Sequence, residues 1–157
     1  PDPAFILSII RQESEFDTSA HSSAGAKGLM QLMTYTARTV AKQAKIPYSK
    51  NKLIKNSEYN INLGSFYIAG LLLEYEGSYP FAITAYNAGP KRVKNWNKIN
   101  KNPQKGKIDY VDWIELIKFN ETRNYVQRVL ENYNVYRYIL SQKPIFIKNF
   151  FKNDPLY

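Results

Sequence analysis

A chain of 157 residues has the length of one domain and buries roughly two-thirds of the surface its extended form would expose, so its core needs no staples. Zero cysteines exclude a disulfide framework, a thiol nucleophile and a thiolate metal site, and the single histidine, His21, excludes a His-rich zinc site. The formal charge of +9 draws anionic partners such as nucleic acid, acidic membranes or the bacterial wall; apart from a loose grouping at Lys91 to Lys107, the lysines are dispersed, which reads as a solvated basic surface.

Asp2 followed by Pro3 forms a helix start, and Ala4 to Phe16 continues it with apolar residues at helical spacing. The stripe runs through Ile6, Ile9 and Ile10, reaches Glu13, and resumes at Phe16. Asp17 to Lys27 is a Ser-, Ala- and Gly-rich loop, with Gly25 and Gly28 placed for tight turning or close approach. A second helix falls within Leu29 to Ala44, and Pro47 with the polar run to Asn56 breaks the pattern. Ser57 is placed to cap a long, largely buried helix over Tyr59 to Tyr75, which Gly77 closes.

Pro80 opens a short helix ending at Asn87-Ala88-Gly89-Pro90, and Arg92 to Trp96 adds a turn or two. Lys98 to Lys107 reads as an exposed loop, after which Ile108 to Ile117 and Glu121 to Leu140 return to helical periodicity. No repeat and no strand-period stretch interrupts this, so the expected fold class is all-α. The longest apolar runs, such as Ile68 to Leu73, are too short to span a bilayer. The chain opens on Pro1 without Met or signal peptide, as a processed or excised piece would.

Glu13 is the residue where the pattern points to chemistry. An acid that continues an apolar stripe is partly desolvated, and desolvation favours the protonated form, so such a group keeps a proton to donate near neutral pH. Glu15, two residues on, faces the other side and suits solvent or a cap. A structural alternative for Glu13 is an ion pair with Arg11 or Lys27. The aromatic content of 15%, mostly tyrosine, adds amphipathic ring faces of the kind that sugars stack on.

Four blocks stand in order: Arg11-Gln12-Glu13-Ser14-Glu15-Phe16, then Gly25 to Met33 (Gly-Ala-Lys-Gly-Leu-Met-Gln-Leu-Met), then Ala85-Tyr86-Asn87-Ala88-Gly89-Pro90, then Glu121-Thr122-Arg123-Asn124-Tyr125-Val126. In order and spacing they resemble the signature of soluble lytic transglycosylase catalytic domains, the lysozyme-like SLT family related to goose lysozyme. Each block alone is a moderate signal; four in sequence over residues 1–144 are a strong one.

The resemblance implies a helical, lysozyme-like domain with a cleft over residues 1–144, and a tail, 145–157, without a family counterpart. It implies cleavage of the MurNAc-GlcNAc β-1,4 bond of peptidoglycan with Glu13 as acid and then base, and no carboxylate nucleophile. The muramic acid 6-hydroxyl closes on the anomeric carbon with help from the 2-acetamido group, leaving a 1,6-anhydro end. Ser14, Gln31, Met33, Tyr86, Asn87, Glu115 and Tyr125 are implied as substrate-binding residues, with Glu115 positioning and not attacking. No cofactor or metal is implied. The partner is the peptidoglycan glycan strand, not nucleic acid, and the location is periplasmic. Members often carry a large helical region ahead of the catalytic domain, which fits a chain beginning at Pro1.

Plain structural roles compete for several of these residues. Tyr86 and Tyr125 suit core packing, Gln31 suits satisfying backbone groups of its loop, and Glu115 suits a salt bridge to Arg123. His21, on a polar loop, has no assigned role. Thr34-Tyr35-Thr36 lacks the proline usual in the family before the threonine, and Lys118 stands where proline is usual, so loop geometry is expected to differ there. The competing functions are a hydrolytic muramidase of goose-lysozyme type, a noncatalytic glycan-binding module, and a nucleic-acid binder resting on charge alone.

Overall fold

The structure, a computed structural model, describes residues 1–143 and Phe151. Among the described residues the chain is helical without strands: α1 Pro3–Ser14, α2 Thr34–Gln43, α3 Lys52–Lys55, α4 Ser57–Glu74, α5 Tyr79–Ala88, α6 Pro90–Ile99, a 3₁₀ turn Pro103–Lys105, α7 Tyr110–Glu115 and α8 Asn120–Ser141. Extended pairing is limited to the isolated bridges His21–Lys27 and Lys27–Leu32. The all-α expectation holds. No described helix is long and apolar enough to cross a membrane. The chain divides into two compact units, residues 1–69 and 70–157, and α4 begins in the first and ends in the second.

In the first unit α1 starts as its sequence dictates: the Asp2 carboxylate accepts from the Ala4 N–H at 2.9 Å, and proline occupies the first turn. Phe5, Ile6, Ile9 and Ile10 are buried, each stabilising the fold by about 1.5–3 kcal/mol relative to exposure. The helix ends two residues earlier than the periodicity predicts. Glu15 and Phe16 both enter left-handed backbone (φ 51° and 69°), and the chain turns away with the Asp17 N–H bonded to the Ser14 carbonyl at 2.9 Å.

Residues 27–33 form a loop, and α2, Thr34–Gln43, falls within the stretch Leu29 to Ala44 where the second helix was expected. Two features lay that loop on α4. Gly64, inside the helix, leaves the space that the Met30 side chain fills, since a Cβ there would stand 2.8 Å from the Met30 Cβ. Asn60, 1% exposed, donates from Nδ2 to the Lys27 and Leu53 carbonyls, both at 2.9 Å, and accepts the Met30 N–H at 2.8 Å. A buried amide in an apolar helix is thus fully used. The cap of α4 is Asn56 and not Ser57: its Oδ1 accepts from the Tyr59 N–H at 2.8 Å and its carbonyl from Asn60. The helix is also less buried than expected, with Phe66 and Leu73 exposed.

The second unit opens with the end of α4, where Gly77 N–H reaches the Leu72 carbonyl at 2.7 Å and Glu76 N–H the Leu73 carbonyl at 3.2 Å, the paired bonds of a helix stop. Ser78 caps α5, which packs against both α6 and α8. Phe81 centres an aromatic core, its ring 4.8 Å from Trp113, 5.4 Å from Tyr110 and 5.7 Å from Tyr75, each edge to face. Two expectations are corrected here. Pro90 follows Gly89 directly into a ten-residue α6, longer than the turn or two predicted, and the Lys98 to Lys107 stretch contains the end of α6 and a 3₁₀ turn whose Pro103 is buried. Proline at a first helical position is preorganised to start a helix, which the stop-turn reading overlooked. Of the tail, Phe146 and Phe150 lie outside the described residues; Phe151 is buried, its ring stacked on Tyr110 at 5.7 Å.

Candidate active site

In the first unit Glu13 occupies the last turn of α1, half-exposed, one turn beyond the buried Ile9 and Ile10. Ser14 beside it donates from Oγ to the Leu29 carbonyl at 2.8 Å and to the Ile10 carbonyl at 3.2 Å, so the turn carrying the acid is tied directly to the 27–33 loop. The Ser14 hydroxyl proton is thus spent on the loop and helix carbonyls, and what it can offer a sugar is its oxygen lone pairs. The neighbouring acids are occupied: Glu15 terminates the helix with a carboxylate oxygen 3.9 Å from Arg11, and Asp17 accepts from the Ser19 N–H and hydroxyl at 2.8 and 2.7 Å. Those Ser19 bonds hold the Asp17 carboxyl below its ordinary value.

The loop is braced from within. Gln31, in left-handed backbone (φ 47°), donates from Nε2 to the Ala20 and Gly28 carbonyls at 3.0 and 2.8 Å, which is the backbone-satisfying role. Both amide hydrogens being used, the side chain can offer a ligand only its oxygen. The Lys27 ammonium bonds to His21 Nε2 at 2.9 Å and to the Gly25 carbonyl at 3.1 Å; an ammonium only donates, so His21 accepts. His21, given no role from sequence, belongs to this brace. Met33 precedes α2 in extended backbone with its side chain exposed. Gly28 (φ 73°) passes close over α3 and α4: a Cβ would collide with the Leu53 carbonyl oxygen and stand 2.9 Å from Asn60 Cγ.

In the second unit Tyr86 and Asn87 end α5, both half-buried. The Asn87 Oδ1 accepts from the buried Thr122 hydroxyl at 2.8 Å, which fixes its amide and leaves the NH₂ end directed by that bond. Tyr125, buried, lies one turn along α8 from Thr122. Asn87, Ala88, Arg92, Phe119, Glu121 and Thr122 line a groove of about 310 Å³. Glu115 lines a different one of about 270 Å³, with Val111, Ile114, Gln127 and Phe151 among its walls. Its carboxylate accepts from Gln127 Nε2 at 2.7 Å, and Arg123 reaches the Glu115 backbone carbonyl at 3.3 Å, so the Arg123 contact is to the main chain in place of the salt bridge considered from sequence. Among the described residues no three His, Cys, Asp or Glu side chains gather as a metal site requires.

Asn60 and Thr122 are the residues that sequence reading missed. The only available signal was a polar residue at a helical position whose neighbours are apolar: Asn60 beside Ile61 and Leu63, and Thr122 three residues before Tyr125.

Comparison with known proteins agrees with the helical architecture. Residues 1–108 match the family model described as the transglycosylase SLT domain. The soluble lytic murein transglycosylase of Escherichia coli K12 is 39% identical over 142 residues, covering 90% of this chain and 21% of that protein. The chain thus spans about a fifth of that relative's length. A putative soluble lytic murein transglycosylase of Haemophilus influenzae is 37% identical over 88% of the chain and 23% of its own length. Among solved structures, the 70 kDa soluble lytic transglycosylase of Escherichia coli superposes with a TM-score of 0.87 at 36% identity, over 96% of this chain and 24% of that one. An inactive glutamate-to-glutamine mutant of the lytic transglycosylase Slt from Pseudomonas aeruginosa gives 0.85 at 38% identity, over 97% and 24%. With the family model covering more than half its residues, this chain belongs to the transglycosylase SLT domain family, and its fold is the family's lysozyme-like helical one.

Proposed function

We propose that this chain cleaves the MurNAc-GlcNAc β-1,4 bond of peptidoglycan without water, using Glu13 alone as acid and then base. The observation that carries this reading is the position of Glu13, half-exposed where a buried apolar stripe ends and beside a loop that Ser14, Gln31, Lys27 and Asn60 hold rigid. Catalytic groups act through preorganised geometry, and this acid stands on a helix whose neighbouring loop is braced from several sides. The two-carboxylate routes need a second acid about 5–9.5 Å from the first. The nearest acids along the chain serve elsewhere, Glu15 as helix terminator beside Arg11 and Asp17 as acceptor for Ser19. The Pseudomonas relative is inactive with one glutamate changed to glutamine, which supports an essential glutamate in this family's reaction.

In the first step Glu13 gives its proton to the leaving GlcNAc O4 as the MurNAc C1–O bond breaks, and the 2-acetamido oxygen shares the positive charge at C1. In the second, the Glu13 carboxylate takes the proton of the MurNAc 6-hydroxyl as O6 bonds to C1, closing the 1,6-anhydro ring and restoring the acid. Asn87, oriented by Thr122, and Tyr86 and Tyr125 are proposed as substrate contacts, with Met33 and the Gln31 oxygen on the loop side. Glu115, on a groove other than that of Asn87, is assigned a positioning role and not an attacking one. Such an enzyme works where its polymer is, outside the cytoplasmic membrane.

Mass analysis of digested wall tests this directly. Wild-type protein is expected to release anhydro-ended fragments one water lighter than hydrolysed ends, and Glu13→Gln to lose about 10²–10⁴-fold in rate while melting normally. Reducing ends would establish the hydrolytic muramidase instead, and undiminished lysis by the variant would remove Glu13 from the mechanism.

A further inference from the structure

Lys27 is buried, 8% exposed, yet neither ion pair found among the described residues, Arg11–Glu15 and Arg128–Glu131, includes it. Its ammonium rests instead on two neutral acceptors, His21 Nε2 at 2.9 Å and the Gly25 carbonyl at 3.1 Å. A buried lysine ordinarily has an acid beside it, so an imidazole in that place is an unusual partner. The elements that meet the loop carry other charged groups, and none takes over the pair. Glu15 of α1 lies beside Arg11, and Asp17 of the loop accepts from Ser19. Neither Lys27 nor His21 stands in an ion pair with Glu13 of α1 or Glu58 of α4, and α3 brings only the cations Lys52 and Lys55.

The pair sits where the loop closes on itself. Lys27 exchanges both backbone hydrogen bonds with Leu32 at 3.1 Å, and its carbonyl also takes the Asn60 amide. Ala20, next to His21, accepts the Gly28 N–H at 2.9 Å and the Gln31 side-chain amide at 3.0 Å. Leu29, between these ties, holds the Ser14 hydroxyl of the turn that carries Glu13. A displacement of His21 from Lys27 therefore reaches Gly28 and Gln31 through the Ala20 carbonyl, and the Glu13 turn through Leu29.

An ammonium donates and does not accept, so the bond needs the Nε2 lone pair, which a proton occupies once the ring is charged. His21 is exposed, so solvent delivers that proton, and imidazole is the side chain whose charge ordinarily changes between about pH 5 and 8. Protonation replaces the hydrogen bond by two like charges in contact, one of them on a buried residue. Resting on the transglycosylase reading above, we propose that His21 is a positioning residue for Glu13, acting through Lys27, so that the loop loosens and cleavage slows as pH falls through the imidazole range. The sign separates this from the catalytic acid. Cleavage starts from protonated Glu13, whose ionisation lowers the rate as pH rises, whereas the His21 bond exists while the ring is neutral and is lost as pH falls.

Hydrogen exchange of the Gly28 and Leu32 amides, corrected for the intrinsic pH dependence of exchange, is followed between about pH 8 and 5 in Glu13→Gln protein, where the acid's own titration does not enter. Protection is expected to fall about tenfold across that range, the scale of one charge-assisted hydrogen bond. His21→Gln supplies an amide oxygen that accepts without titrating, and Lys27→Met keeps the apolar stem without the ammonium; with either change the fall is expected to vanish. Cleavage by protein that keeps Glu13 is the second readout: kcat/KM on wall is expected to drop about tenfold from about pH 7.5 to 5.5, and His21→Gln to flatten that acid side while the basic limb stays where it was. Flat protection with His21 in place, or an equal fall with His21→Gln, overturns the proposal, and so does an acid limb of cleavage that His21→Gln leaves intact. A pH-dependent loop in a protein that cleaves no wall at any pH would uphold the Lys27–His21 brace and remove the transglycosylase reading instead.

Discussion

Replacing Asn60 with alanine removes three hydrogen bonds from one buried point. The Met30 N–H loses its Asn60 acceptor at 2.8 Å, and the Lys27 and Leu53 carbonyls lose a donor at 2.9 Å each. The Lys27 carbonyl keeps a second partner, the Leu32 N–H at 3.1 Å, so its loss is the mildest. Depriving a buried N–H of its acceptor costs about 1–3 kcal/mol, and the two carbonyl bonds add about 0.5–1.5 kcal/mol each, giving roughly 3–4 kcal/mol in all. For a domain of this size each kcal/mol lowers Tm by about 2–4 °C, so Asn60→Ala is expected to melt about 6–16 °C below wild type. Far-UV circular dichroism measures the shift. Wall-lysis rate at a temperature where both proteins are folded measures the second effect, because the freed loop pulls on the Leu29 carbonyl that Ser14 holds. A Tm within about 2 °C of wild type would show that the amide does not bear the loop, and the reasoning about how Glu13 is positioned would fall with it.

Three further outcomes follow from the same geometry. Gly28→Ala drives a Cβ against the Leu53 carbonyl of α3 and the Asn60 side chain of α4 at a left-handed backbone position and is expected to destabilise by about 3 kcal/mol or more, read from the denaturant midpoint; a neutral change would mean the loop does not press on these two helices. Thr122→Val removes the donor that orients Asn87, with an expected loss of about 1 kcal/mol in stability and a raised KM at unchanged kcat; an unaltered KM would take Asn87 off the proposed glycan wall. The Asp17 carboxyl is held below 3.8 in the folded state, so its contribution is complete above that value and disappears as pH falls through the lower folded one. Asp17→Ala should therefore lower Tm near neutral pH and converge with wild type in strong acid, whereas a constant offset across pH would show that the Ser19 bonds are not its origin.

Much of the helical plan is local and was readable in one dimension. Asp2 with Pro3, Ser78 with Pro80 and the stop at Gly77 act through their own and adjacent backbone groups, and the periodicity of α1 and α8 states directly which face is buried. The four motif blocks carried the family, and with it Glu13. An error of extent arose where two local signals compete, as at Gly89-Pro90, which reads as a stop but starts α6.

What tertiary structure alone decided is how those pieces are held. The loop beside Glu13 takes its shape from Asn60, some 30 residues away along the chain, and Asn87 takes its orientation from Thr122, 35 residues away. Neither partnership leaves a period or a composition in the sequence, because a hydrogen bond between distant segments depends on where whole helices pack and not on the residues flanking either end.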